Sequence, residues 1–296
     1  MKRTARINLE GYLFISPWLL GFLGFIVGPM LYALYISFFK WNIISEPVLV
    51  GIQNYIHAFQ DYRFWISLRK TLYFCFTTVP LRVVIGLTLA YFIAQLIKNN
   101  FRGSVPLRII YCLPIMFSEV VLGILWTWIY EPTSGILNEI LRIFGIPGVN
   151  WLATPGVVMP SVIGMMAWRV GGMMLIFLAG LLDIPEELYE SADIDGARAL
   201  RKFFFITLPM LTPTLLFNFT VTLIQSFRIF GEVFVLTRGG PANESLLYVI
   251  NLYKEAFDLM HMGYACALAW ILFLIIMVLT AVFFWFSRYW VFYRAR

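Results

Sequence analysis

Long apolar runs separated by short polar stretches set the pattern along this chain, and the length of each run points to a bilayer. A hydrocarbon layer of ~30 Å takes about 20 residues of helix. Runs of that length occupy 11–39, 71–97, 105–130, 156–182, 205–236 and 263–287. No period-two alternation competes with them as strand. Pro29, Pro80, Pro114, Gly171-Gly172 and Pro213 fall inside the runs. In a membrane bundle such residues predict kinks or close helix contacts, because neighbouring helices can satisfy the backbone groups they free. The pattern predicts an all-α membrane protein, a single six-helix transmembrane bundle spanning residues 1–296.

Composition narrows the choice further. Hydrophobic residues make up 61% and charged residues 13%, against ~45–50% and ~25% in soluble proteins. Mean hydropathy is +0.82. So few charges cannot cover a water-exposed surface, which excludes a soluble enzyme, a disordered chain and a secreted disulfide scaffold. Cys75, Cys112 and Cys266 lie far apart in apolar stretches, as small buried hydrophobes rather than a disulfide framework or metal site. The first run follows Met1-Lys2-Arg3-Thr4-Ala5-Arg6 like a signal peptide. It is about twice too long and no small-x-small cleavage site follows it, so an uncleaved first helix is expected.

Orientation follows from Lys and Arg near the span ends. With the N-terminus inside, the cytoplasmic flanks carry Lys2, Arg3, Arg6, Lys98, Arg102, Arg108, Arg198, Arg201, Lys202, Arg288, Arg294 and Arg296. The other side carries Lys40, Arg63, Arg69, Lys70, Arg142, Arg238 and Lys254. Twelve against seven puts both termini in the cytoplasm, and six crossings require them to share a side. The net charge of +6 is thus spread along membrane flanks, and a nucleic-acid partner is not expected. The external segments, 40–70, 131–155 and 237–262, are too short to fold as separate domains.

The most informative polar stretch is the cytoplasmic loop 183–209. Asp183 with Glu186 three residues on forms a capping box, with Pro185 in the first turn. Gly196 suits a left-handed helix end, and 197–208 can form a second helix. The residues alone allow either a helix-turn-helix on the membrane face or an ordinary amphipathic loop. Glu190-Ser191-Ala192, Asp195-Gly196-Ala197 and Ile206-x-Leu208-Pro209, with nine residues between Gly196 and Ile206, resemble the "EAA" loop of permease subunits in binding-protein-dependent ABC importers. Ser191 replaces the usual Ala, one small residue for another. Further resemblance, to the carbohydrate-uptake branch of maltose and multiple-sugar permeases, comes from Gly51-Ile52-Gln53-Asn54-Tyr55, Thr71-Leu72, Tyr111-Cys112-Leu113-Pro114, Trp126, Gly135-Ile136-Leu137-Asn138, Thr237-x-Gly239-Gly240-Pro241 and Tyr264-Ala265-x-Ala267.

The resemblance implies the type I importer permease fold with a cytoplasmic coupling helix, in a bacterial cytoplasmic membrane. It implies that Glu190, Ala192, Asp195, Gly196, Ala197, Leu208 and Pro209 couple to a cytoplasmic ATPase, with Glu190 bonding to it and the Gly196 turn fixing the helix pair. The implied partners are a homologous second permease, two ATPase copies, an external solute-binding protein and a sugar. No Gly-Lys dipeptide occurs in the chain, so it has no P-loop; ATP and Mg²⁺ belong to the partner, and this chain binds no cofactor.

In the fifth run Asn218, Thr222, Gln225, Ser226 and Ile229 recur at i, i+4, i+7, i+8 and i+11, which puts four hydrogen-bonding groups on one helical face. Such a face is costly against lipid and belongs against protein or a water-filled cavity. It reads equally as interhelical bonding or as sugar contact; the resemblance implies sugar contact for Thr222, Gln225 and Ser226. Arg228 and Glu232, four apart, are expected to pair. Arg169, just before Gly171-Gly172, reads either as a cavity-lining contact together with Gly172 or as a structural partner of Glu119 or of the second permease. Arg82 and Glu119 are the other charges within spans. An ion-coupled secondary transporter is the alternative function. An intramembrane transferase is less favoured, because His57 and His261 are the only histidines, both in external segments, and no catalytic or metal-ligand spacing occurs.

Overall fold

The computed structural model describes residues 2–292, with side-chain surroundings from Gly11 onward. The side chains of Lys2, Arg3 and Arg6, and residues Arg294 and Arg296, which entered the orientation count, lie outside that description. Three continuous helices are long and apolar enough to cross a bilayer: Gly11–Ile36, Tyr62–Lys98 and Met262–Ser287. Three helix pairs are long and apolar enough only when taken together, each bent at a break: Ser104–Met116 with Glu119–Ile129 at 105°, Val158–Trp168 with Gly171–Leu182 at 45°, and Ala199–Met210 with Thr212–Phe227 at 66°. The six apolar runs are therefore mostly helical, but only half of them are continuous helices.

The described residues form two compact units. One comprises Met1–Tyr62 and Leu252–Leu274. After the first span a two-stranded antiparallel hairpin pairs Phe39 with Leu49 and Lys40 with Val48, a feature the hydrophobic pattern did not show. Gly51, at φ +60°, turns the chain into the helix Gln53–Gln60. There Asn54 Nδ2 donates to the carbonyls of Ser37 (2.8 Å) and Phe39 (2.9 Å). Gly263 lies so close to the Phe39 carbonyl that a Cβ would overlap it. The Tyr264 hydroxyl donates to Asp61 (2.8 Å). These hydrogen bonds account for the 51–55 and 264–267 motifs as anchors of the segment 40–70.

The other unit comprises Arg63–Asn251 and Ile275–Arg296. Its core packs Val83, Ala90, Ile93 and Ala94 of the second span against Met173, Met174, Phe177, Leu178 and Leu181 of the fourth and Leu211 of the fifth. Glycines set the approach. A Cβ on Gly86 would stand 3.1 Å from Met173 Sδ, and one on Gly180 would stand 2.9 Å from Thr214 Oγ1. Small residues at contacts of this kind are what membrane helices, lacking a hydrophobic drive to associate, use to gain dispersion. The segment 131–155 is tied down by buried Asn138, whose amide donates to the carbonyls of Pro132 (3.0 Å) and Val149 (2.9 Å) and accepts from Val149 N–H and Trp151 Nε1 (both 3.0 Å). At its entrance the backbone N–H of Ser134 donates to Glu131 and holds that carboxyl below its ordinary pKa.

Two local expectations are corrected. The capping box at Asp183 is not formed: Asp183 ends the preceding helix and Pro185 is the N-cap of Glu186–Ile194. Proline disfavours a helical conformation in the residue before it, so Ile184 leaves the helix and Glu186 becomes the first helical residue rather than the third. The fifth run is likewise not one helix through 236. It stops at Phe227 and restarts as Gly231–Thr237.

Gly171 marks the tightest helix contact in this unit, since a Cβ there would overlap the carbonyl of Tyr111 and stand 2.9 Å from Cys112 Cα. Backbone cannot yield as a flexible side chain does, so Gly171→Ala should lower stability by at least ~1–3 kcal/mol. Gly164→Ala, in the same span with only the Tyr130 hydroxyl nearby at 3.5 Å, should be neutral or mildly stabilising. Thermal unfolding of the two purified variants in detergent provides the comparison, and equal melting temperatures would refute it.

Candidate functional site

The second unit encloses a cavity of about 430 Å³. The second span contributes Arg82, the bent third span Ile115 and Glu119, the fourth Met166, Arg169, Gly172, Met173 and Ile176, and the fifth Asn218, Val221, Thr222, Gln225 and Ser226, followed by Arg228, Ile229 and Glu232. All six residues expected along a path, Arg169, Gly172, Asn218, Thr222, Gln225 and Ser226, therefore line one space. Three helix breaks lie beside it: Phe117-Ser118, between the lining residues Ile115 and Glu119, Arg169-Val170 and Arg228–Phe230. A break frees backbone groups, which at membrane depth are tolerated only against protein or a wet cavity.

Arg82 shows how one break is satisfied. It is 7% exposed, and its Nη2 donates to the carbonyl of Arg169 (2.9 Å), where helix Val158–Trp168 ends. The Arg169 guanidinium then forms an ion pair with Glu232 Oε1. Glu232 is 3% exposed and sits in the first turn of the helix after the second break, where the helix dipole favours a carboxylate. That helix lies directly on Glu119–Ile129: a Cβ on Gly123 would stand 3.0 Å from the Glu232 carbonyl, and one on Gly231 would stand 2.9 Å from Glu119 Cβ.

This arrangement corrects the expected pairing. Glu232 is bound to Arg169 rather than to Arg228, and Arg169 pairs with Glu232 rather than Glu119. The i, i+4 relation of Arg228 to Glu232 holds only on a continuous helix, and the chain leaves the helix at Arg228 (φ −100°, ψ 5°). A long apolar run gives no sign of that break, so Glu232 was legible only as a partner for its helical neighbour.

The polar face on Thr212–Phe227 forms as spaced. Asn218, Thr222 and Ser226 are buried and Gln225 is exposed, while Ile229 falls beyond the helix end. Asn218 Nδ2, Ser226 Oγ and Arg82 Nε have no hydrogen-bond partner in the protein. A buried polar atom left unpaired costs ~1–3 kcal/mol. The wall is thus equipped with donors and acceptors that the fold itself does not use.

A second region lies in the loop 183–209. Helix Glu186–Ile194 ends at Asp195, and Gly196 takes φ +70°. Gly196 N–H donates to Asp193 O (3.0 Å) and Ala197 N–H to Ala192 O (2.9 Å), the paired bonds that close a helix on a left-handed glycine. Ala192, Asp195, Gly196 and Ala197 thereby make one rigid turn. The helix is anchored from below: Tyr189 hydrogen-bonds Thr207 (2.9 Å), Lys98 lies over the Tyr189 ring (4.6 Å), and Lys202 bonds Asp193. Glu187, Glu190 and Asp195 stay exposed. Leu208 and Pro209 are half-buried at the start of the fifth span, in Leu208–Met210. Among the described residues no group of His, Cys, Asp or Glu is placed to hold a metal.

Breaking the central ion pair from one side leaves Glu232 charged, buried and unpaired. Arg169→Gln should destabilise the subunit by ~3–5 kcal/mol, and adding Glu232→Gln should recover most of that. Thermal unfolding of the two single variants and the double variant measures the coupling. A double variant as unstable as the sum of the singles would contradict it.

Comparison with known proteins agrees with this architecture. Residues 83–291 match the family described as binding-protein-dependent transport system inner membrane component. The probable ABC transporter permease protein YesP of Bacillus subtilis (strain 168) is 37% identical, aligned over 100% of this chain and 97% of its own. The arabinooligosaccharides transport system permease protein AraP of the same organism is 34% identical over 92% of this chain and 86% of its own. The trehalose/maltose transport system permease protein MalF of Thermococcus litoralis is 33% identical over 92% of each. Among solved structures, a chain of a bacterial ABC transporter involved in the import of the acidic polysaccharide alginate superposes with a TM-score of 0.84 over 97% of both chains at 22% identity, a likeness of fold. These matches set aside the ion-coupled transporter and the transferase. The chain belongs to the family of binding-protein-dependent inner-membrane transport components, and is a multi-pass permease subunit of an ABC importer rather than an enzyme.

Proposed function

We propose that this subunit carries a sugar through the cavity, against a homologous second permease, with one of two copies of a cytoplasmic ATPase docked on the loop 183–209 and an external solute-binding protein delivering the substrate. Both termini then lie in the cytoplasm, as the Lys and Arg distribution requires. The observation that carries the reading is the wall formed by Asn218, Thr222, Gln225 and Ser226, which includes buried hydrogen-bonding atoms without protein partners. Sugar hydroxyls are both donors and acceptors and would satisfy such a wall as they lose water. The relatives named for arabinooligosaccharides and for trehalose and maltose support the same class.

The loop supports the energy-coupling role by its build. Gly196 and Tyr189 hold a short helix rigidly on the packed base of the second, fourth and fifth spans, so a load on its exposed acidic face is not absorbed by bending. A basic or polar cleft on the ATPase is the complementary surface.

Removing hydrogen-bonding capacity from the wall at nearly constant volume tests the path. Gln225→Leu and Thr222→Val should each lower sugar uptake by about 5- to 150-fold, the loss expected from ~1–3 kcal/mol, with assembly unchanged. Normal uptake by both variants, measured in reconstituted vesicles, would reduce the polar face to interhelical bonding. At the loop, Glu190→Lys should leave the complex assembled but abolish substrate-stimulated ATP hydrolysis, by placing like charges at a docked interface. Full stimulation in that variant would remove the loop from the coupling path.

A further inference from the structure

Hydrogen-bonding groups alone would suit any sugar, but this cavity also carries charge. Three guanidinium groups line it, those of Arg82, Arg169 and Arg228, against two carboxylates, Glu119 and Glu232. Arg169 takes Glu232, the more buried of the two. Glu119 packs on Gly231 and, like Arg228, makes no ion pair among the described residues. Arg82 is committed to a backbone carbonyl and keeps Nε unpartnered. One positive charge therefore exceeds what the wall can neutralise.

Surroundings decide what that excess means. In water a lone guanidinium costs little. Inside a membrane-spanning bundle, between apolar side chains such as Ile115, Met173 and Ile229, an uncompensated cation is expensive, and such charges usually face a pathway. A neutral sugar cannot offset it. A carboxylate can, because a guanidinium presents a planar fork that receives two carboxylate oxygens at once. Arg228 is the member free to do so: it is exposed, sits at the end of the helix bearing the polar face, and lies one turn beyond Gln225. Arg82 and Arg169 are held in place at the break, Arg169 neutralised by Glu232 and Arg82 bonded to a backbone carbonyl, so neither is free to turn toward a substrate carboxylate.

We infer that the sugar carried is anionic, a short uronate oligomer whose carboxylate is received by Arg228 while its hydroxyls lie along the Asn218 to Ser226 face. This inference rests on the sugar-carrying reading above and adds the substrate class and a specificity residue to it.

The test uses the complete transporter with its solute-binding protein in vesicles. Oligogalacturonate and oligomannuronate are supplied, each beside the same digest after its carboxyl groups are reduced to the neutral sugar. The binding protein is first titrated with every probe, so that uptake is compared at equal occupancy. Uronate uptake should exceed neutral uptake, and Arg228→Gln should cut the uronate rate by ~10- to 100-fold, the loss of a charge-assisted bond, and lower neutral uptake by a much smaller factor. Arg228→Lys, which keeps the charge, should retain the preference for uronate and confirm that the site folds. Equal uptake of charged and neutral probes, or a loss in Arg228→Gln that falls on both alike, overturns the inference and makes Arg228 a structural cation, with the sugar reading intact. Uptake of no probe of either kind overturns the sugar reading, and this inference with it.

Discussion

A helix that breaks inside a membrane must find new partners for the backbone groups it releases, and here that requirement is met by a buried arginine. Arg82 reaches from the second span to the Arg169 carbonyl, and Arg169 in turn holds Glu232, so one chain of contacts joins three spans at two breaks. Water would satisfy the same groups at no structural expense, but lipid cannot. The bend of the fourth span at Arg169 and the interruption at Arg228–Phe230 both lie on this network, beside the cavity. The same requirement explains why charged residues stand where apolar ones would have been cheaper.

Cavity and loop share one apolar base. Met173 lines the cavity and also belongs to the cluster that contains Ile184, with Tyr189 packed against it, at the loop. Interiors of this density transmit displacement rather than absorb it. The proposed coupling therefore has a physical route, from the helix Glu186–Ile194 through close-packed side chains of the fourth span to the break at Arg169. Gly86 and Gly180 let the spans approach closely enough for that contact.

Much of this was legible in the sequence because it follows from local rules. Six runs of sufficient length could only be helices, since a helix satisfies its own backbone in lipid. Gly196 could be assigned its left-handed turn from the periodic helix before it, and the polar face from Asn218 to Ser226 follows from spacing alone. Several motif residues whose purpose the sequence did not show proved to be anchors of the segments between apolar runs: Asn54 on the Ser37 and Phe39 carbonyls, Asn138 across its own loop, and Thr71 accepting the Tyr248 N–H at 2.8 Å. The short hairpin at Phe39–Lys40 and Val48–Leu49 was missed because two residues per strand carry no detectable period.

The sequence by itself determined the class of protein, the helical nature of its apolar runs and the group of residues that meet in the cavity, because composition and helical period act over neighbouring residues. Only the tertiary structure decided where the helices break and which charges pair. Arg228 and Glu232 are neighbours on a continuous helix, and nothing between them in the sequence announces the interruption at Arg228–Phe230. That interruption exists because distant groups stabilise it: Glu119 lies against Gly231, Val235 against Gly123, and Arg169, sixty-three positions away, receives the displaced Glu232. An ion pair between residues so far apart is chosen by packing, and packing becomes visible only once the spans are assembled.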